Sequence, residues 1–195
     1  MKKKLFLSVM VLLTLFMVTG CNLKKENTNN NSANKINENN KSVVLYFSAT
    51  GTTKAIAEKI ASQSDSDIIE IIPKDKYKSE DLNYNKDCRA NKEQNDPKAR
   101  PEIENSIDIS KYDTIYLGYP IWWGTNPKII LTLLDSYDFS GKSIIPFCTS
   151  GSTGISGSVS DLREYNNKLD IRDGQRFSEN DSDEVIKDFV EKINY

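Results

Sequence analysis

Histidine is absent from this chain of 195 residues. Its absence removes His-based catalytic triads, HExxH zinc sites and His-ligated haem. Cysteine is scarce: only Cys21, Cys88 and Cys148 are present, with no CxxC pair. An oxidising compartment would allow a disulfide between Cys88 and Cys148. The place of Cys148 at the end of an apolar run argues instead that it belongs to the core. The longest apolar run, Leu5 to Val18 with only Ser8 and Thr14 interrupting, has 14 residues. That is short of the ~20 needed to span a bilayer comfortably. Neither GxxxxGK[ST] nor GxGxxG occurs, so the signatures of a nucleotide triphosphatase and of a dinucleotide fold are missing.

The amino terminus has a clear order. Three lysines within Met1–Lys4 precede the apolar run, and Thr19-Gly20-Cys21 follows it. Basic, apolar, then small residues is the order of a secretory signal. A plain signal peptide or a short membrane anchor would also fit. Val18-Thr19-Gly20-Cys21 resembles the lipobox of bacterial lipoproteins, with Val18 where leucine is most usual. The resemblance implies that Cys21 is lipidated and becomes the first residue of a protein anchored on the extracytoplasmic face of the cell membrane. Two acyl chains suffice for stable anchoring. Asn22 to Asn40 are rich in Asn and Lys and hold too little apolar surface to order a chain. The expected organisation is a signal peptide at 1–20, a disordered lipid tether at 21–40 and one domain at 41–195.

Charge divides along the same lines. Residues 1–40 carry six lysines and two glutamates, which leaves 20 basic and 26 acidic groups in residues 41–195. The domain is mildly acidic and has no basic stripe for nucleic acid.

Within the domain, strands and helices alternate. The expected strands are Ser42–Phe47, Ile68–Ile72, 114–118, Ser143–Cys148 and a weak one within Asp170–Phe177. The expected helices are Thr52–Ser62, one following Pro127 with Ile129, Ile130, Leu133 and Leu134 buried, Ser158–Tyr165, and Ser182–Ile193. The last has Val185, Ile186, Phe189, Val190 and Ile193 as its buried stripe. Pro146 inside a strand should force a bulge or irregular pairing. Residues 74–101 form a long polar stretch, with Tyr77, Tyr84 and Arg89 as candidates for contact with a site. This pattern predicts a parallel sheet with helices on both faces and a ligand outside the carboxyl ends of the strands.

Three loops fall at those ends. Ser48-Ala49-Thr50-Gly51-Thr52-Thr53 joins an apolar strand directly to a helix. Its backbone N–H groups and hydroxyls suit a phosphate at the positive end of the helix. Gly118-Tyr119-Pro120-Ile121-Trp122-Trp123-Gly124-Thr125-Asn126-Pro127 holds both tryptophans of the chain, an aromatic wall for a flat ring. Thr149-Ser150-Gly151-Ser152-Thr153-Gly154 is bare enough for its backbone to approach a ligand closely. A ligand with one phosphate, a linker and a flat polar ring fits all three, and flavin mononucleotide (FMN) has that shape.

At these residues the chain resembles the flavodoxin-like family, most closely a subgroup carrying YFSxTGNT, GYPIWWG and PFxTSGGSG. Here the motifs read Tyr46–Thr53, Gly118–Gly124 and Pro146–Gly154. The resemblance implies a three-layer α/β sandwich with a five-stranded parallel sheet in the order 2-1-3-4-5 and FMN as cofactor. It implies phosphate contacts at Ser48, Thr50, Gly51, Thr52 and Thr53. It implies ring contacts at Pro120, Ile121, Trp122, Trp123 and Gly124, and at Thr149, Ser150 and Gly151. Thr52 stands where the family has asparagine, and Ser152-Thr153 where it has Gly-Ser. The implied function is an electron-transfer flavoprotein at the cell envelope, serving a membrane-associated redox protein or a quinone system, with no metal and no catalytic side chain. An NAD(P)H- or quinone-dependent flavin oxidoreductase, and a binding module that has lost FMN, are the alternatives.

Overall fold

The structure, a computed structural model, describes residues 41–193. The expected signal peptide, lipidated Cys21 and tether lie outside the described residues. Strands β1 (Ser42–Tyr46), β2 (Asp67–Glu70), β3 (Thr114–Pro120), β4 (Ser143–Thr149), β5 (Asp170–Ile171) and β6 (Gln175–Phe177) form one sheet. Helices α1 (Thr52–Ser64), α2 (Arg89–Asn95), α3 (Lys128–Ser136), α4 (Ser156–Tyr165) and α5 (Asp183–Ile193) complete the fold. The strands pair in the order β2-β1-β3-β4-β5, all parallel, and β6 also pairs with β4. This is the expected 2-1-3-4-5 sandwich.

Side chains alternate across a strand, and the alternation divides the apolar residues into two cores. Val43, Leu45, Ile115, Leu117, Tyr119, Ile144 and Cys148 pack with the buried faces of α3 and α4. Val44, Tyr46, Tyr116, Ile145 and Phe147 pack with Ile56, Ala57 and Ile60 of α1 and Ile186, Phe189 and Val190 of α5. Burial on both faces accounts for the continuous apolar runs.

Several boundaries differ from expectation. The weak last strand is two short pieces, because Pro146 interrupts its pairing. Ile144 directs its carbonyl to the edge side, where it accepts a hydrogen bond from the Arg172 amide at 2.8 Å. Pro146, two residues on, faces the same edge without an N–H to donate. Pairing lapses there and resumes at Phe147–Gln175. Gly174 fills the gap, and a Cβ on it would lie 2.4 Å from the Pro146 carbonyl oxygen. Helix α1 runs two residues past Ser62 to a stop at Asp65, whose φ of 51° is left-handed. Pro127 is the residue before α3, not its first. Val185 is exposed, so the stripe of α5 lacks that member. Strands β3 and β4 extend further than expected: Tyr119, Pro120 and Thr149 are strand, not loop.

The polar stretch after β2 is closed at its neck. Pro73 bridges Ile103, the Lys74 amide donates to the Glu102 carbonyl at 2.9 Å and the Glu104 amide to the Ile72 carbonyl at 2.8 Å. The Asn105 carboxamide accepts from the Ile72 amide and donates to the Glu70 carbonyl. Beyond the neck the stretch carries a 3-10 turn (Ser79–Leu82) and α2, while Ala90 and Cys88 are buried. Cys88 and Cys148 are both free thiols.

Strand β3 depends on Gly118. A Cβ there would meet the Phe147 ring at 2.2 Å, and Phe147 is fully buried in the neighbouring strand. Gly118→Ala should therefore cost about 1–3 kcal/mol through overpacking, measured by urea unfolding. Adding Phe147→Leu should recover part of that loss. A double variant no more stable than Gly118→Ala alone would refute the steric account.

Candidate functional site

Parallel pairing sends β1, β3 and β4 to the same end of the sheet, so the three loops start side by side. The Phe47 amide donates to the Gly118 carbonyl at 2.9 Å, and the Ile121 amide to the Thr149 carbonyl at 3.0 Å. The buried hydroxyls of Thr53 and Thr149 are 2.7 Å apart. Backbone and side chains thus tie the first loop to the third and the second to both.

In the first loop the N-cap of α1 is Gly51, with φ of 96°. A glycine has no side chain to cap the helix, and no side-chain cap bond is made. The Ser48 hydroxyl faces the Gly51 amide instead and accepts from it at 3.0 Å. Among the described residues the amides of Thr52, Thr53 and Lys54 have no acceptor; the first helical bond runs from Ala55 to the Gly51 carbonyl. Such groups ordinarily find a capping partner, water or a ligand. Lys54 lies 4.0 Å from Glu58, one turn along the helix. Thr50 is exposed and Thr52 half-buried at the open mouth, whereas the Thr53 hydroxyl is committed to Thr149.

The second loop separates its two indoles. Trp122 packs inward, edge-on to Phe47 at 5.5 Å and to Tyr77 at 5.0 Å between ring centres. Trp123 stays 42% exposed, edge-on to Trp122 and to the exposed Tyr84. The Trp122 and Thr125 amides exchange hydrogen bonds with each other's carbonyls at 2.9 and 3.1 Å. Between them Trp123 has φ of 50° and Gly124 φ of 85°, the positive pair that a tight type I′ turn requires. Glycine adopts this freely; a tryptophan there is strained. Pro120 ends β3 opposite Thr149, and Ile121 packs on the core edge. The Gly124 carbonyl comes close to Gly157, and the Thr125 hydroxyl donates to Asp161 at 2.5 Å, which joins this loop to α4.

The third loop is open. Gly151 and Gly154 have free space where a Cβ would project. The Ser150 hydroxyl donates to the Thr153 carbonyl, and its amide reaches the Phe177 carbonyl at 3.3 Å. Arg176 on β6 donates to the Ser150 carbonyl at 2.9 Å and to the Gly151 carbonyl at 3.3 Å. Behind the loop, burial pushes the Cys148 thiol up to about 12, so it is no nucleophile at neutral pH.

Residues of the polar stretch join the site. Tyr77 lies against Phe47 and Trp122. Burial, and then the hydrogen bond its hydroxyl donates to Glu93 at 2.5 Å, push its phenol well above the usual range. Arg89 stacks on its ring at 4.1 Å and pairs with Glu93 at 2.6 Å. Tyr77, Ser48, Ala49 and Lys76 line a cleft of about 230 Å³ beside the first loop. Gln94 and Arg176 carry no sequence signal; only the fold brings them to the loops.

A doubly wound parallel sheet carries an uncapped helix start, a strained aromatic turn and a bare glycine loop at one end, the architecture of a flavodoxin-like α/β protein. The family described as Flavodoxin matches residues 41–193, and the chain belongs to the flavodoxin family. It is similar to a candidate flavoprotein from Bacteroides eggerthii, at 36% identity over 80% of this chain and 99% of that one, with a TM-score of 0.76. A second, from Bacteroides uniformis, is 38% identical over 78% and 98% of the two chains, also with a TM-score of 0.76. A flavoprotein from Lactobacillus acidophilus, solved in complex with FMN, is 32% identical over 70% and 93%, with a TM-score of 0.55. None of the curated proteins matches the chain.

The Thr53–Thr149 contact yields a test of how the first and third loops are joined. Thr53→Val or Thr149→Val alone leaves one buried hydroxyl without its partner and should cost about 1–3 kcal/mol. The double variant should cost less than the sum of the singles. Additive losses in urea unfolding would show that the two hydroxyls do not depend on each other.

Proposed function

We propose that this protein is an FMN-binding electron carrier, tethered to the outer face of the cell membrane through a lipid on Cys21. The uncapped start of α1 carries the cofactor reading. Three amides, from Thr52, Thr53 and Lys54, open the helix with no acceptor among the described residues. A phosphate supplies the acceptor oxygens they lack and suits the positive end of the helix. Thr50 and Thr52 add hydroxyls at the mouth, so Thr52 serves where relatives of the GYPIWWG subgroup carry asparagine. The FMN-bound flavoprotein of Lactobacillus acidophilus, 32% identical, supports the same cofactor.

Bound FMN would supply the electron chemistry; the protein's part is to hold and tune it. Trp123 is the indole free to stack on a flat ring, since Trp122 is spent on Phe47 and Tyr77. The open Gly151 lets the third loop approach the ring edge. The excess of acidic over basic groups in residues 41–195 disfavours added negative charge, which lowers the potential. Outside the membrane there is no steady nicotinamide supply, which favours a carrier over an NAD(P)H oxidoreductase. The tether of residues 21–40 would keep the domain at raised concentration near a membrane redox protein or a quinone system.

The purified full chain should be yellow and release flavin on denaturation. FMN should bind on the order of 30-fold more tightly than riboflavin, the worth of about 2 kcal/mol at a helix start. A chain that takes up no FMN in titration refutes the cofactor reading. NADH or NADPH alone should bleach the bound flavin slowly and dithionite quickly; rapid bleaching by NADPH would make the protein a reductase. Cys21→Ser should release the protein from membranes on fractionation, and unchanged retention would defeat the lipid anchor.

A further inference from the structure

We propose that Gln94, on α2 of the polar stretch, is a positioning residue that holds the aromatic turn in its ring-binding shape. The proposal rests on the flavin reading above and assigns that stretch a part in it. One carboxamide makes three contacts. Its Nε2 donates to the Trp122 carbonyl at 3.2 Å and to the Asn126 carbonyl at 3.2 Å. Its Oε1 accepts from the Lys128 amide at 3.2 Å. The two carbonyls flank the strained pair Trp123-Gly124. The amide belongs to the first residue of α3, a helix whose N-cap is Pro127 and which has no side-chain cap of its own.

These contacts answer a physical need. A tryptophan at φ of 50° stays there only if its surroundings over-determine it. The Trp122–Thr125 pairing closes the turn from within. Gln94 grips both flanks from outside, and it also fixes the start of α3, so turn and helix cannot move independently. Gln94 itself is held because α2 is anchored nearby: Arg89 and Glu93 engage Tyr77, which packs on Trp122. Without Gln94 the Asn126 carbonyl and the Lys128 amide lose their partner, the Trp122 carbonyl keeps only the Thr125 amide, and Trp123 is free to relax to negative φ. The ring face it offers would then be lost.

Gln94 has no exposed donor left to reach a ligand, so its effect on FMN passes through the turn. The test uses the full chain with Gln94→Ala and Gln94→Glu. Glutamate has the same shape and can still accept from Lys128, but it sets a carboxylate oxygen against two carbonyls. If donation is what matters, both variants should bind FMN roughly tenfold more weakly by flavin-fluorescence titration. If only volume matters, Gln94→Glu should bind as wild type does, which overturns the proposal. The flavin-free protein gives a second readout: tryptophan emission should shift to the red and acrylamide quenching rise in both variants. Urea midpoints close to that of wild type would show that the losses are local. Unchanged FMN affinity and unchanged emission in both variants would also overturn it. If wild type itself binds no FMN, the cofactor reading fails; the emission shift then still decides whether Gln94 holds the turn.

Discussion

Everything at the binding end follows from the two-sided pairing of β3. It lies between β1 and β4 in parallel register, Thr114 against Ser42 on one side and Ser143 on the other. Parallel strands must finish at the same end. Because β1 has β2 beyond it and β4 has β5 beyond it, the chain winds in opposite directions from this point. The crossover helices then leave for opposite faces, and a crevice opens between the loops of β1 and β3. Gly118 keeps the arrangement possible. The Phe147 ring lies over it, and its carbonyl receives the Phe47 amide that starts the first loop.

On that frame the loops divide the work by what they leave unsatisfied. The first loop leaves amides free because its cap is a glycine. The second leaves one indole face free because the other tryptophan is used up in packing. The third leaves space free because Gly151 and Gly154 add no bulk. Under the proposed function these three features suit different parts of one mononucleotide: charge, flat ring and ring edge. Thr53 and Thr149 look like binding residues by type, but their hydroxyls bind each other. Their hydroxyls join the first loop to the third, while the Thr53 amide stays at the open start of α1.

The parallel sheet, most of the helix faces and the three loops were legible because they rest on local rules, whereas the strand order came from the resemblance to the flavodoxin-like family. Apolar runs mark strands covered on both faces, apolar spacing marks α1, α3 and most of α5, and small hydroxyl residues after a strand mark the loop that opens α1. What was not legible depends on contacts across the chain. Val185 fits the helical spacing of α5 yet stays exposed at the margin of its stripe. Pro146 announced irregular pairing, but only the direction of the Ile144 carbonyl says on which side it falls. Nothing in the sequence around Gln94 distinguishes it from the other polar residues of 74–101. The assignment of inner and outer indoles needed Phe47 and Tyr77 in place.

The polar stretch shows why length alone is a poor guide to disorder. Residues 74–101, a long polar excursion between β2 and β3, would ordinarily carry a large entropic cost of ordering. Here the neck at Ile72–Lys74 and Glu102–Glu104 closes the excursion, and the cost of closing a loop grows only slowly with its length. A few specific contacts then suffice to order its interior: buried Ala90 and Cys88, Arg89 on Tyr77, and the carboxamide of Gln94 on the aromatic turn. Those contacts lie on the side facing the site, while Lys78, Glu80 and Lys86 face solvent. An excursion that is polar outside and anchored on the site-facing side acts as a brace. It lets a surface loop hold a strained tryptophan that the sheet beneath cannot reach.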